Sequence, residues 1–366
     1  MSFPSFISDQ IQSLLHCSSH SFKVEKVRSG KRHASDSWDR FTLLIPYCLD
    51  YLRWDILYNV EFPLSPPDII FGPEDDNFLS FLVSSCAKSC LSDWNYRDQS
   101  QLMYLIEELR NKYAEFQKKQ IGEVDDERLK FEINTILSRE GIEMHMMSFS
   151  DKTEEVKFAV PLTDVNINRM VVECPWKQQQ KIYLQVVYPV GRKFVSVPSA
   201  PRLKLMSSSE LKSLFCVDDV KLPSWLDGMC MAEYLPHLEE ILKRQVLEAI
   251  SSVTERRTFI EALVPLFGQP LEADPVFCRK ASFLATSGPF TFLVHFHLSI
   301  QFPKQQPSLQ LQSTQHLNTQ GTLAPSQLLT EYPWSPRWEA TQMAERIFDF
   351  LAGECLVFKR HCNDAV

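Results

Sequence analysis

One aromatic–proline pattern occurs twice in this chain, and the two copies lie far apart. Residues 62–71 read FPLSPPDIIF and residues 302–311 read FPKQQPSLQL, so aromatic, proline and apolar residues recur at the same spacing. In each copy a tryptophan, Trp94 or Trp334, follows 23 residues after the last apolar residue. Recurrence of so long a pattern indicates that one kind of domain has been built twice.

Strand and helix patterns surround the first copy. Short apolar stretches bounded by turn residues predict strands, and apolar residues at helical spacing predict helices. The predicted strands are 41–45, 52–58 and 68–71, with a turn at 46–50. The predicted helices are 5–15, 102–116 and 129–137.

The second copy has the same order of elements. Strands are predicted at 290–301 and 309–312. A helix follows, with Ser335 as its cap and Pro336 at its first position. Its buried stripe runs from Ala340 to Leu351, and Gly353 is its predicted end.

A fainter third copy lies between these two. A strand pattern ends at Tyr188-Pro189, an insertion follows, and then come Pro201 and Trp225 before a helical pattern from about 229. The aromatic–proline marks at 63, 189 and 303 fit modules of about 120 residues. With the charged stretch 123–128 as a junction, we predict an α+β chain divided at 1–122, 123–250 and 251–366.

Composition excludes several functions. The net charge of −8 disfavours direct contact with nucleic acid, and no glycine-rich phosphate motif occurs. No apolar stretch approaches the length of a membrane span. Ten scattered cysteines without paired spacing are typical of a reducing compartment. We expect no cofactor.

The order of strands, proline turn, tryptophan and helices resembles the ubiquitin-conjugating (E2) fold. Several segments further resemble the BRE (brain and reproductive organ-expressed protein) family. They are DRFTLLIPY at 39–47, LRWDI at 52–56, residues 62–72, SDWN at 92–95, and YPWSPRW at 332–338 with Met343-Ala344 beyond it. The resemblance covers most of the chain and is weakest in 140–250.

The resemblance implies tandem E2-variant (UEV) domains, each a small antiparallel meander packed with helices. It implies a non-catalytic scaffold subunit of deubiquitinase complexes, the cytoplasmic BRISC complex and a nuclear assembly recruited to DNA damage. The implied partners are an MPN-type zinc deubiquitinase, an Abraxas-like scaffold, a von Willebrand A-like subunit and polyubiquitin of the extended, non-degradative type.

Cys86 is the candidate for residual E2 chemistry. An active E2 needs a cysteine nucleophile and an asparagine that stabilises the oxyanion. Cys86 lies near an active enzyme's spacing, but no His-Pro-Asn string precedes it, and Asn77 stands nine residues before it. The stretch 78–86 predicts a helix whose thiol packs inward, and in the last copy the matching position is near Ser326. An atypical E2 using Cys86 and a stand-alone ubiquitin-binding adaptor remain the alternatives.

Three other groups of side chains point to structural roles. His295 and His297 share one face of a strand, but Gln305 and Ser308 occupy the positions where the MPN zinc pattern needs Ser and Asp. Residues 16–20 place two histidines and a cysteine at a helix end without a local fourth ligand. The basic stretch 23–32 is typical of a solvated hairpin rather than a phosphate site.

The C-terminal module holds the predicted partner-binding residues. They are Trp334, Trp338, Leu356, Val357 and Phe358. The apolar residues 356–358 extend beyond the predicted helix end at Gly353. This tail either contacts a partner subunit or folds back onto its own domain.

Overall fold

The structure is a computed structural model. It describes residues 3–18, 21–30, 38–59, 61–62, 64–72, 75–84, 94–136, 138–148, 154–162, 167–170, 176, 180–190, 200–317 and 320–364. The chain divides into two compact units. The first unit contains Met1–Pro161, Tyr183–Met206 and Ser224–Tyr234, and the second contains Leu162–Ile182, Ser207–Pro223 and Leu235–Val366.

The first unit begins with a helix and an antiparallel meander. The helix is α1 (Ser5–Cys17), and the strands in sheet order are β1 (Lys23–Arg28), β2 (Arg40–Tyr47), β3 (Asp50–Leu57) and β4 (Asp68–Ile70). In β3 the side chains alternate, because successive residues of a strand point to opposite faces. Trp54 and Ile56 are buried, whereas Arg53 is exposed.

A two-residue turn joins β2 to β3, since Tyr47 pairs with Asp50. Cys48 and Leu49 both have positive φ, 49° and 63°, as hairpin turns that follow the twist of the strands require. The turn predicted over 46–50 is therefore confirmed and is narrower than expected.

Helices cover the inner face of this meander. They are α2 (Asp76–Ser84) and α3 (Gln101–Gly122), and α4 (Glu127–Ile136) follows them in the chain without joining this core. Trp54 is fully buried, and its ring packs against Phe71, Phe78 and Tyr113. The helical spacing between 102 and 116 predicted α3 correctly, because those apolar residues face this core.

A second meander completes the first unit. Its strands in sheet order are β5 (Glu143–Ser148), β6 (Glu154–Pro161), β7 (Ile182–Pro189) and β8 (Arg202–Ser207). The Glu143 carboxylate links it to the first meander: it accepts from the backbone N–H of Cys48 at 2.5 Å and from the Arg110 guanidinium. The Tyr47 hydroxyl donates to the Met144 carbonyl at 2.8 Å.

The second unit contains a third meander between two long helices. The short helix α5 (Ile167–Met170) precedes α6 (Met231–Phe267), whose first residues belong to the first unit. The strands in sheet order are β9 (Glu272–Ala273), β10 (Lys280–Ser287), β11 (Phe290–His297), β12 (Ser308–Leu317) and β13 (Leu323–Pro325). The last helix is α7 (Ala340–Asp364).

The α+β prediction is confirmed, because all three sheets are antiparallel and helices accompany each of them. Three predicted bounds are wrong. The strand predicted over 290–301 ends at His297, and α7 neither begins at Pro336 nor ends at Gly353. The domain division stays a prediction, and its boundary at residue 250 falls inside α6.

Helix α7 continues through Gly353, because the burial of side chains beyond this residue outweighs the low helix propensity of glycine. Cys355, Phe358 and Cys362 follow it at helical spacing and are all buried. A glycine inside a helix costs about 1 kcal/mol, whereas burying one large apolar side chain contributes roughly 1.5–3 kcal/mol.

Arg256 of α6 organises two turns of the second unit. It is 1% exposed, and its guanidinium donates to the Phe277 carbonyl at 2.9 Å, the Ser252 hydroxyl at 2.9 Å and the Ser299 carbonyl at 3.4 Å. Buried polar groups that lose a partner keep their full desolvation cost.

Arg256→Met should therefore destabilise the chain, by about 3 kcal/mol, since it strands several buried acceptors at roughly 1–3 kcal/mol each. Arg257→Met, the same change one residue along, is the matched control. Urea unfolding of the full chain measures both variants. Equal unfolding midpoints would contradict the role given to Arg256.

Glu132 of α4 is a buried carboxylate that contacts the first residue of α6. It is 3% exposed and accepts from the Met231 backbone N–H at 2.8 Å. Burial raises the pKa of this carboxyl above the usual 4.5, although the hydrogen bond from Met231 opposes the rise.

A raised folded pKa makes stability depend on pH. The stability linked to Glu132 is complete below about pH 4.5 and declines as pH rises through the folded pKa. Glu132→Gln keeps an acceptor for Met231 and removes the titration. We expect the variant's advantage in free energy of unfolding to grow above pH 4.5 and then level off. Glu140→Gln, at an exposed carboxylate, is the control. A course for Glu132→Gln parallel to that of the wild type would refute this linkage.

Candidate partner-binding surface

Trp334 closes the aromatic–proline turn of the second unit. Its indole Nε1 donates to the Pro303 carbonyl at 2.9 Å, and the nearby Tyr332 hydroxyl donates to the Pro307 carbonyl. The peptide bond between Phe302 and Pro303 is cis. The long spacing between proline and tryptophan in the sequence thus corresponds to a direct hydrogen bond.

The Trp334 ring also belongs to an aromatic cluster. Its centroid lies 5.7 Å from that of Phe302 and 6.3 Å from that of Phe259 on α6. Trp334 is partly buried against the core of the second unit. Its main contacts are therefore within its own module.

Trp338 lies at the mouth of a cleft. The cleft has a volume of about 330 Å³, and its lining includes Phe302, Pro303, Glu255 and Glu339. The guanidinium carbon of Arg346 lies 5.8 Å from the Trp338 ring centroid, within the range of a cation–π contact. Trp338 is half-buried, so part of its ring is available to a partner.

The three tail residues face different ways. Phe358 is 5% exposed and packs with Phe290 in the module's own core, with ring centroids 6.0 Å apart. Leu356 and Val357 are 51% and 55% exposed. Of the two alternatives for the tail, Phe358 fits folding back onto its own domain, and the partner-binding hypothesis keeps Leu356 and Val357.

The five predicted residues do not form one patch. Arg346, which contacts Trp338, precedes Leu356 by ten residues, or about 15 Å along a helix. The structure instead separates a cleft at Trp338 from an exposed face of α7.

Sequence reasoning missed Phe348 on that face. Phe348 is 40% exposed and stands eight residues before Leu356, so the two lie in one row along the helix. The signal was present as an apolar spacing of four outside the buried stripe, but the predicted helix end at Gly353 obscured it.

The corresponding site of the first copy is described only in part. The Trp94 indole N–H is buried and has no hydrogen-bond partner among the residues with described positions. Asn77 is exposed on α2. Pro63 and the candidate thiol Cys86 lie outside the described residues. In the last copy, the Ser326 hydroxyl donates to the Gln327 carbonyl and accepts from the Leu311 N–H.

His295 is a satisfied sheet-face histidine, as predicted. Its Nδ1 lies 2.8 Å from the Ser282 hydroxyl, and its Nε2 lies 2.9 Å from the Gln312 side-chain oxygen. Burial lowers the pKa of His297, and the positive charge of the nearby Lys280 lowers it further. Across the described part of the chain, no three His, Cys, Asp or Glu side chains form a group that could hold a metal ion.

Two further predicted segments are described in part. The basic stretch forms β1, whose Arg28 lies 3.8 Å from the Asp55 carboxylate on β3. Lys31 and Arg32 lie outside the described residues. At the end of α1, His16 is exposed, and His20 is likewise not described.

A family comparison decides the relationship of the chain. The family model described as "Brain and reproductive organ-expressed protein (BRE)" matches residues 5–317. The chain belongs to the BRE family. A Danio rerio relative named "BRISC and BRCA1-A complex member 2" is 29% identical over 319 residues, 84% of this chain and 80% of the relative. A Branchiostoma floridae relative of the same name is 26% identical over 345 residues, 90% of this chain and 88% of the relative.

The helices give no sign of a membrane-spanning segment in this BRE-family chain. Within the described ranges, none combines the length and the apolar character that crossing a bilayer requires.

Trp334→Phe tests the closure of the turn. It keeps an aromatic ring but removes the donor to the Pro303 carbonyl, so we expect a loss of about 1–3 kcal/mol in the free energy of unfolding. Trp338→Phe is the matched control and should cost less, since none of its described contacts depends on the indole N–H. Urea unfolding of the two variants measures the difference, and an equal or larger loss for Trp338→Phe would contradict this account.

Proposed function

We propose that this chain is a non-catalytic architectural subunit of a deubiquitinase complex. Membership of the BRE family supports this proposal. Two relatives that match the chain over most of their length are also named as complex members. The relatives' name gives two complexes, BRISC and BRCA1-A, and we take the second to be the nuclear assembly. We place the protein in the cytoplasm and the nucleus accordingly.

We further propose that the chain consists of tandem E2-variant domains over 1–122, 123–250 and 251–366. Three features support the presence of three such modules. Each meander runs in chain order, a helix precedes and follows each one, and a proline-containing segment leads into β4 and into β12. Fold likeness alone does not give function, so the assignment of role rests on the family.

The partners we propose are an MPN-type zinc deubiquitinase, an Abraxas-like scaffold, a von Willebrand A-like subunit and polyubiquitin of the extended, non-degradative type. A chain with several modules presents several surfaces at once. Weak contacts on linked modules then add through effective concentration, which suits a subunit that holds others together.

The C-terminal module offers the surfaces for a partner subunit. Trp338, Leu356 and Val357 are its accessible members, while Trp334 and Phe358 support them from the core. Deleting residues 354–366 would remove the buried Cys355, Phe358 and Cys362 along with the surface. Single surface substitutions therefore separate binding from folding.

Two assays test the proposed role. Protein purified through a tag on this chain from its source should cleave extended-type polyubiquitin, and a zinc chelator should abolish the cleavage because the catalytic metal belongs to a partner. The chain purified alone should cleave nothing. Incubated with an activating enzyme, ubiquitin and ATP, it should form no reducible adduct.

The controls distinguish the alternatives. An adduct that disappears in Cys86→Ser would establish an atypical E2 and overturn the proposal. A tagged preparation without zinc-dependent cleavage would favour an adaptor that works outside any deubiquitinase complex.

A further inference from the structure

Helix α7 carries an exposed apolar row that flanks its buried stripe. Phe348, Ala352 and Leu356 are spaced by four residues, which places them one above the other on a helix. Phe348 is 40% and Leu356 51% exposed, and Ala352 is also exposed. The buried stripe consists of Met343, Ala344, Ile347, Leu351, Cys355, Phe358 and Cys362.

The row begins beside α6 and has a charged residue next to each of its ends. The Phe348 ring packs edge-on against Phe267 near the end of α6, with centroids 5.3 Å apart. Glu345 precedes the row by three residues, and Lys359 follows it by three. The full spacing of three, four, four and three keeps these five positions on one side of the helix.

We propose that an amphipathic α-helix of another subunit packs antiparallel along this row. It places a large apolar side chain over Ala352 and Gly353, and acidic residues opposite Lys359 and Arg360. The inference rests on the proposed function, since it specifies the structural element of the partner that the C-terminal module receives.

The small residues in the middle of the face favour a helix as the occupant. Ala352 lies between Phe348 and Leu356 in the row, and the exposed Gly353 lies next to it in sequence, so this part of the helix surface carries little or no side chain. Helices pack when ridges of one enter grooves of the other, with axes about 8–10 Å apart, and a depression flanked by large side chains is such a groove.

The charges set the direction of the partner helix. Glu345 and Asp349 lie in the first half of α7 with one cation, Arg346, whose guanidinium contacts the Trp338 ring. Lys359 and Arg360 lie in the second half. Helices commonly carry acidic residues near the N-terminus and basic residues near the C-terminus, because these complement the helix dipole. An antiparallel helix of this common kind brings opposite charges together, whereas a parallel one would bring like charges together.

The small area of the row indicates a partner held elsewhere as well. A stable pairwise interface buries about 800 Å² of surface on each partner, and three exposed side chains present a much smaller area. The contact therefore contributes within an assembly, where other contacts raise the effective concentration of the helix. An isolated partner helix should bind weakly.

Substitutions in the tagged full-length chain test the row. Leu356→Glu and Ala352→Trp should each lower recovery of one co-purifying subunit at least tenfold when the assembly is isolated from the source. Leu284→Glu is the matched control, because Leu284 is 42% exposed on the opposite face of the sheet in the same unit. Thermal unfolding of the purified variants verifies that all three remain folded.

A photo-crosslinking side chain at position 356 identifies the element that covers the row. Crosslinked residues in the lost subunit should recur every three or four positions, with acidic residues at the end that reaches Lys359. Reversing those acids should restore the recovery that Lys359→Glu with Arg360→Glu removes.

Several results would overturn the inference. They are undiminished recovery in both Leu356→Glu and Ala352→Trp, crosslinks spaced by two residues as in a strand, and crosslinks to a second copy of this chain. Failure of the proposed function itself has a different signature, since the wild-type chain would then recover no deubiquitinase subunits at all.

Discussion

The hydrogen bond from the Trp334 indole to the Pro303 carbonyl ties the repeated sequence pattern to the architecture of the second unit. It joins the turn between β11 and β12 to the segment that leads into α7. Around it, Phe302 and Phe259 pack against the Trp334 ring. The closed turn lines the cleft at Trp338 and directly precedes the start of α7.

Helix α7 then divides its side chains between stability and recognition. Ile347, Leu351 and Phe358 cover the inner face of the meander, as the apolar face of an antiparallel sheet requires. Phe348 and Leu356 remain exposed beyond that stripe. One helix can thus hold its own module together and still present an apolar row to another subunit.

Periodicity predicted the elements better than it predicted their ends. The strands around Trp54 and the helix α3 followed from apolar spacing, because that spacing reports which side chains face the core. Gly353 misled the prediction of α7, since local propensity cannot register the burial of Cys355 and Cys362 further along. Arg256 escaped sequence reasoning entirely, because two of its three acceptors are backbone carbonyls of turns that only the fold brings near.

The candidate site also shows what the sequence predicts and what it misses. Leu356 and Val357 lie at the surface as the hypothesis needs, but Phe358, their neighbour in sequence, faces the core. Three consecutive apolar residues on a helix point in directions about 100° apart, so a stretch of sequence that looks like one patch becomes three separate positions. Phe348, eight residues before Leu356, is the more relevant companion.

The central claim is that this chain works as one subunit among several. Native mass spectrometry of the particle isolated through a tag on the chain tests that claim most directly. The account predicts a mass several times the 42.4 kDa of the chain, with other polypeptides, one of them zinc-bound, present in fixed ratio to it. A particle of 42.4 kDa, or one that contains only copies of this chain, would contradict it.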